Sequence, residues 1–179
     1  MVNKRTPVQA LFLLAAVSGL GLSDQGNPPR KPPRVNSSCG KCDDGRKLEI
    51  VNAGGKCLDV NKPDWQKDGA RVQLWECKGN EPEQHWRWNR NAIVNGGGKC
   101  LEATAPTEAS KLGGVRMWSC DGGRPQQKWE LKGQAIINEN GMCLDAHAAT
   151  MGTNGGRVQV WTCVPDAAPQ SWWFSPIEP

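Results

Sequence analysis

Two sets of side chains in this sequence combine a carboxylate, an amide and an indole at one common spacing. They are Asp59, Gln73 and Trp75, and Asp145, Gln159 and Trp161. An indole face can stack on the C–H side of a pyranose ring, while carboxylate and amide groups bond to hydroxyls at the ring's edge. These residue types therefore indicate a site for a neutral sugar, with core packing as an open alternative for Trp75.

A third set at the same spacing differs in two of its three members. It places Glu102 and Arg116 beside Trp118. The longer side chain of Glu102 displaces the carboxylate, and Arg116 can pair with that carboxylate and close the pocket. We therefore expect this site to be the weakest of the three.

The three sets recur because the chain contains a repeat of 43 residues. The copies span 47–89, 90–132 and 133–175, and ten of the 43 positions are identical in all three. In the first copy these positions are Ile50, Asn52, Gly55, Cys57, Leu58, Val72, Trp75, Cys77, Gln84 and Trp86.

Each copy has the pattern of four short strands separated by turns rich in Gly, Pro, Asn and Asp, without helical periodicity. Three copies therefore predict about twelve strands. One copy has too few strands to be stable alone, whereas three can close a barrel that leaves no exposed sheet edge. The sequence predicts an all-β fold, a β-trefoil with threefold pseudo-symmetry.

Six of the eight cysteines occupy two positions of the repeat that lie 20 residues apart. The equivalence of the units predicts that Cys57 pairs with Cys77, Cys100 with Cys120, and Cys143 with Cys163. Each bridge would close a loop and stabilise the folded state by ~3 kcal/mol, because it lowers the entropy of the unfolded chain. Paired zinc ligands lie much closer together in sequence, so no metal site is expected here.

Four other tryptophans are interpreted from their counterparts in the other copies. Trp86 and Trp88 alternate along the Gln-x-Trp strand and have apolar counterparts, so we expect both in the core. Trp65 has no aromatic counterpart and is expected to extend the first site. Trp173 aligns with charged residues and is expected to be exposed.

The repeats resemble the ricin B-type lectins and the related family-13 carbohydrate-binding modules. The resemblance rests on a paired-cysteine loop and a Gln-x-Trp motif in every unit, and it covers 47–175. It implies that sugar is held by the acid after the first cysteine, by residues before the second cysteine and by the Gln-x-Trp glutamine. Carried over, the first site is Asp59, Gln73, Trp75 and Gln84, the third is Asp145, Gln159, Trp161 and Gln170, and the weaker second site is Glu102, Trp118, Gln126 and Gln127.

The residue before the Gln-x-Trp glutamine departs from the family pattern, in which it is usually Asn. The first unit has Glu83 and the third has Pro169, whose side chain offers neither a donor nor an acceptor. The glutamines themselves have two open roles, because they can bond to ligand or fix the backbone of the barrel. They are Gln84, Gln127 and Gln170.

The N-terminal part of the chain has a different composition. Residues 1–23 have the order of a secretory signal peptide: a basic start, an apolar segment and small residues. Residues 24–46 are a Pro-rich linker that contains Cys39 and Cys42, for which we expect a local disulfide, with intermolecular pairing as the alternative. The mature protein is therefore expected to be secreted and extracellular, without a membrane span.

Charge and residue content disfavour two classes of function. The net charge of +4 arises in residues 1–47, which carry eight basic and three acidic side chains, whereas residues 48–179 carry 14 and 15. A nucleic-acid binder needs a basic folded face. The histidines, His85 and His147, lack a nucleophile or carboxylate partner at a catalytic spacing, so neither an enzyme nor a cofactor is expected.

The sequence therefore predicts a metal-independent lectin for galactose- or xylose-type glycans or polysaccharide. The alternative is a protein-binding trefoil, such as a secreted protease inhibitor or effector, because the fold alone does not fix the function.

Overall fold

The computed structural model describes residues 45–104 and 113–177, which contain twelve β-strands and five single-turn 3-10 helices. The all-β fold and the number of strands predicted from the sequence are confirmed. No helix in these two ranges has the length and apolar character needed to cross a bilayer. The predicted signal peptide, nearly all of the linker, and Cys39 with Cys42 lie outside the described residues.

The strands fall into three groups of four, one group for each copy of the repeat. The first group is β1 (Leu48–Asn52), β2 (Cys57–Val60), β3 (Val72–Trp75) and β4 (Trp86–Asn89). The second is β5 (Ala92–Asn95), β6 (Cys100–Ala103), β7 (Gly113–Trp118) and β8 (Trp129–Lys132). The third is β9 (Ala135–Asn138), β10 (Met142–Ala146), β11 (Gly156–Thr162) and β12 (Trp172–Pro176).

Six strands form the barrel. β1 is antiparallel to both β4 and β12, and β4–β5 and β8–β9 are antiparallel hairpins. The Trp129 backbone N–H donates to the Asn91 carbonyl at 2.7 Å, and the Trp172 N–H donates to the Gln134 carbonyl at 3.0 Å. These two contacts are one repeat apart, and they join the hairpins into a closed ring.

The remaining six strands form three hairpins, β2–β3, β6–β7 and β10–β11, one in each unit. β11 pairs with both β3 and β7, so the hairpins of neighbouring units are linked through their backbones. Because the hairpins carry the cysteines and the candidate site residues, this linkage holds the three sites on one rigid scaffold.

The core repeats with the threefold symmetry of the sequence. The three tryptophans of the Gln-x-Trp motifs are buried, and each indole Nε1–H donates at 2.9 Å to a leucine carbonyl of its own unit. The pairs are Trp86 with Leu58, Trp129 with Leu101, and Trp172 with Leu144. Trp88 is also buried, and its ring packs edge-on against Phe174 with centroids 5.9 Å apart. The predicted core roles of Trp86 and Trp88 are confirmed.

Disulfides connect the two strand ends of every hairpin. The bridges are Cys57–Cys77, Cys100–Cys120 and Cys143–Cys163, as the repeat predicts. In each unit the bridge lies at the end of the hairpin where the acid and the indole are placed, so it fixes the distance between their strands.

Two expectations about tryptophans are wrong. Trp65 does not line the first site: its ring lies against Gly97 of the second unit, and its carbonyl accepts from Asn95 Nδ2 at 3.0 Å. It belongs to the joint between units, because Asn52, at the same position of the first copy, likewise donates to the Met151 carbonyl in the loop of the third unit. Trp173 is only partly exposed, since it lies opposite Val51 in the β1–β12 pair.

Candidate functional site

The strand register places the site residues of the first unit on one face of its hairpin. Asp59 lies directly opposite Gln73, and Cys57 lies opposite Trp75. Alternate residues of a strand face the same side, so the carboxylate and the indole are diagonal neighbours. The third unit repeats this register with its own acid, amide and indole.

Two amide groups hold the carboxylate of the first site. Gln73 Nε2 donates to Asp59 Oδ1 at 2.8 Å, and Gln84 Nε2 donates to Oδ2 at 3.1 Å. Each carboxylate oxygen can accept a further hydrogen bond. Burial raises the pKa of Asp59; the two amide bonds oppose that effect, and the nearby Glu83 carboxylate adds to it.

The carboxylate of the third site is held in the same way. Gln159 Nε2 donates to Asp145 Oδ1 at 2.8 Å, and Gln170 Nε2 donates to Oδ2 at 3.2 Å. The sequence reasoning thus identified two sets of residues that the fold brings together with nearly identical geometry.

The Gln-x-Trp glutamines are buried and bonded within the protein. Gln84 Nε2 also donates to the Glu76 carbonyl at 2.9 Å, and its Oε1 accepts from the Lys78 N–H at 3.0 Å. Gln127 and Gln170 make equivalent backbone bonds in their units. Both amide donors are therefore engaged, and the glutamine orients the acid beside it.

These glutamines lie on single-turn 3-10 helices that precede the barrel strands β4, β8 and β12. The turns span Pro82–Gln84, Pro125–Gln127 and Ala168–Gln170, each with a proline at its first or second position. Proline fixes its own φ and has no N–H to leave unpaired, so it favours this tight geometry. Gln126, predicted for the second site, lies on such a turn, partly buried, and its carbonyl accepts from Asn138 Nδ2 at 3.0 Å.

A loop of the third unit supports the indole of the first site. The Gly155 N–H donates to the Leu74 carbonyl at 2.8 Å, and a Cβ at Gly155 would lie 3.9 Å from the Trp75 ring. Gly155 has φ +75°, a left-handed conformation that glycine adopts without the strain of a side chain. Trp75 is therefore held partly exposed at a joint between units, away from the core.

The first pocket has a volume of about 180 Å³. Besides the predicted residues, its walls include Asn61, Lys62, Lys78, Glu81 and Glu83. The side chain of Glu83 is buried, and its Oε2 has no hydrogen-bond partner among the described residues.

The third pocket has a volume of about 320 Å³ and fewer charged side chains in its wall. It is lined by Asp145, His147, Ala148, Gln159, Trp161 and Pro169. His147 Nδ1 and Gln159 Oε1 are buried and lack partners among the described residues.

In the second site, arginine occupies the space between acid and indole. Arg116 Nε and Nη2 both donate to Glu102 Oε1, at 2.9 and 2.7 Å, and the guanidinium carbon lies 4.0 Å from the Trp118 ring centroid. Arg124 donates to Glu102 Oε2 at 3.2 Å. Burial raises the pKa of Glu102, but the bonds from Arg116, Gln127 and Arg124 together hold it below its ordinary value. The ion pair expected from the sequence is present.

Sequence reasoning missed several of the side chains that distinguish the sites. They are Asn61, Lys62, Lys78 and Glu81 in the first site, Arg124 in the second, and His147 and Ala148 in the third. Each of them can be aligned with counterparts 43 residues away in the other copies, as Glu81 aligns with Arg124 and Ala167. A comparison of the positions at which the copies differ would have found them.

The sequence model of the ricin-type beta-trefoil lectin domain matches residues 46–172, and the chain therefore belongs to this family. A segment of 46 residues is 46% identical to beta-galactoside-specific lectin 2 of Viscum album. That segment covers 25% of this chain and 8% of the relative, so the chain matches only a small part of its length.

Solved structures show the same fold at low sequence identity. The C-half of the earthworm R-type lectin, crystallised in complex with GalNAc, has a TM-score of 0.61 at 17% identity, covering 73% of this chain and 98% of that one. The designed 3-fold symmetric protein ThreeFoil has a TM-score of 0.59 at 24% identity, covering 72% and 97%. The fold is thus a β-trefoil.

Proposed function

We propose that this chain is a carbohydrate-binding lectin whose first and third units hold sugar and whose second unit is closed. One observation carries the proposal: the three buried side-chain atoms without a partner in 45–104 and 113–177 all belong to residues that line the two open pockets. They are Glu83 Oε2, His147 Nδ1 and Gln159 Oε1. Buried polar groups are almost always paired in folded proteins, so a concentration of unpaired ones supports a ligand that completes them.

Each open pocket also has the shape of a sugar site. A partly exposed indole forms one wall, and a carboxylate fixed by two amides lies diagonally opposite. Stacking on the indole and hydroxyl bonds to the fixed acid need no metal ion, so we propose metal-independent binding.

Galactose-type sugars are the proposed ligand class, with xylose-type sugars as a further candidate. The Viscum relative is a beta-galactoside-specific lectin, and the earthworm lectin binds GalNAc, which supports this choice. We propose binding without catalysis, because the acids of the three units lie in separate hairpins.

Secretion is part of the same proposal. Three disulfides need an oxidising compartment to form and persist, and the N-terminal sequence has the order of a signal peptide. A protein-binding trefoil is the less favoured alternative, because a partner protein would not require the acid–amide–indole set in two symmetric copies.

Converting the second site to the residues of the third should add a sugar site. We expect the parent protein to bind two molecules of methyl β-galactoside per chain and the Glu102→Asp, Arg116→Gln, Arg124→Ala variant to bind three. The substitutions remove the guanidinium from the Trp118 ring and restore the shorter acid with its amide partner. Equilibrium dialysis at millimolar protein concentration counts the bound sugar.

Arg87→Gln is the matched control, since it removes an exposed arginine on β4 and should leave two sites. A parent protein that binds no sugar would contradict the proposed function. A triple variant that still binds two would contradict the explanation for the closed second site.

A further inference from the structure

The first and third pockets differ in the number of charged side chains in their walls. The first contains the carboxylates of Asp59, Glu81 and Glu83 together with two lysines, Lys62 and Lys78, whereas the third contains the carboxylate of Asp145 and no lysine or arginine. The difference arises where the 43-residue repeat places neutral Ala167 and Pro169 in the third unit. The two open sites therefore offer different polar groups to a ligand.

Glu83 is the residue that sets the first pocket apart. It is 4% exposed, and Lys62 Nζ lies 3.4 Å from its Oε1. Its Oε2 has no partner among the described residues, although a buried carboxylate oxygen without a donor destabilises the protein. A ligand that brings a donor into the pocket relieves this cost.

The lysines at the rim pair mainly with Glu81, and Glu83 is paired with a lysine only through its Oε1. Lys62 Nζ pairs with Glu81 Oε2 at 2.8 Å, and Lys78 Nζ lies 3.8 Å from Glu81 Oε1. Both lysine side chains are exposed, and the acceptor bonds of Asp59 come from neutral amides. Inside the pocket, the bonded partners of Asp59 are therefore neutral, and Glu83 Oε2 has no donor among the described residues.

We propose that the first site selects a sugar with a free, protonated amino group, such as galactosamine, and that its ammonium group bonds to Glu83 Oε2. This inference rests on the proposed sugar-binding function. A charge-assisted hydrogen bond is about twice as strong as a neutral one, so an ammonium group satisfies Glu83 better than a hydroxyl does. The Trp75 face accepts the ring and favours a nearby cation. In the third pocket the unpaired atoms belong to an imidazole and an amide, which suit neutral hydroxyls.

The test uses the full chain with Trp161→Ala, which leaves the first site as the only intact open one. Affinities for galactosamine, galactose and N-acetylgalactosamine are measured by titration at low ionic strength. We expect galactosamine to bind about tenfold more tightly than galactose, and the preference to decrease as salt is added. N-acetylgalactosamine has no charge on its nitrogen and should show no such preference.

Two Glu→Gln substitutions separate the local contact from the overall charge. Glu83→Gln in the same background should reduce the ratio of galactosamine to galactose affinity to nearly one. Glu130→Gln removes the same charge from an exposed residue on β8 that pairs with Lys132, and the ratio should stay as in the parent.

The outcomes distinguish this inference from the proposed function. If galactose binds and galactosamine binds no better, the inference is wrong and the lectin function stands. If neither sugar binds, the proposed function itself is wrong. If Nα-acetyl-lysine methylamide competes as well as galactosamine, the site recognises any amine, and the assignment to an amino sugar is overturned.

Discussion

On an immobilised galactan, Trp75→Ala and Trp161→Ala should each lose most of the retention of the parent protein, whereas Trp118→Ala should keep it. A single shallow sugar site binds weakly, because stacking and a few hydroxyl bonds barely exceed the cost of immobilising the ligand. Two sites on one rigid scaffold can hold one polymer together, and this raises the apparent affinity by ~10²–10⁴ when the spacing fits. Removing either indole leaves one good site and abolishes that gain.

Trp118→Ala is the matched control, because it removes the same side chain at the equivalent position of a site that Arg116 already occupies. Affinity chromatography on the immobilised galactan ranks the three single variants and the Trp75→Ala, Trp161→Ala double variant. If both single variants and the double variant are retained like the parent, the tryptophans are not sugar platforms. The protein-binding alternative would then be favoured.

Trp86→Ala should be the most destabilising substitution of an aromatic residue in the first unit. The Trp86 ring is 1% exposed, and its indole N–H satisfies the Leu58 carbonyl. Replacing a buried tryptophan by alanine lowers the free energy of unfolding by about 3–5 kcal/mol. Trp86→Phe fills most of the volume but leaves the carbonyl unpaired, for which we expect a loss of about 1–3 kcal/mol. Urea denaturation with the disulfides intact measures both losses.

Trp75→Ala should have the opposite profile, with a small loss of stability and a large loss of sugar binding. Its indole lies partly exposed in the first pocket, so the free energy of unfolding should fall by less than about 2 kcal/mol while sugar binding is lost. Similar losses of stability at Trp75 and Trp86 would mean that Trp75 is a core residue. Core packing was the alternative to a sugar-stacking role that the sequence left open for Trp75.

The repeat made the core and the disulfides predictable. A position that is identical in all three copies has the same structural role in each, so the repeat alone predicts equivalent places for Cys57, Leu58 and Trp86 and their counterparts. The common spacing also grouped Asp59 with Gln73 and Trp75, and the β2–β3 register, closed by one disulfide, brings this set together.

Contacts between units were not predictable in the same way. Trp65 was expected in the first pocket, but it packs on Gly97 because the loop of one unit meets the barrel turn of the next. The unpaired oxygen of Glu83 likewise depends on how far Lys62 reaches, which no sequence spacing specifies. Residues that differ among the copies give the three sites their individual chemistry, and they need three-dimensional neighbours to be interpreted.

The central claim is that two pockets bind sugar and one is closed, and the indole N–H signals of the nine tryptophans test it most directly. The signals are assigned by single Trp→Phe substitutions and followed by two-dimensional ¹H–¹⁵N NMR as methyl β-galactoside is added. We predict that the signals of Trp75 and Trp161 shift in a saturable manner while that of Trp118 stays in place. Unmoved Trp75 and Trp161 signals at saturating sugar, or an equal shift of Trp118, would contradict the claim.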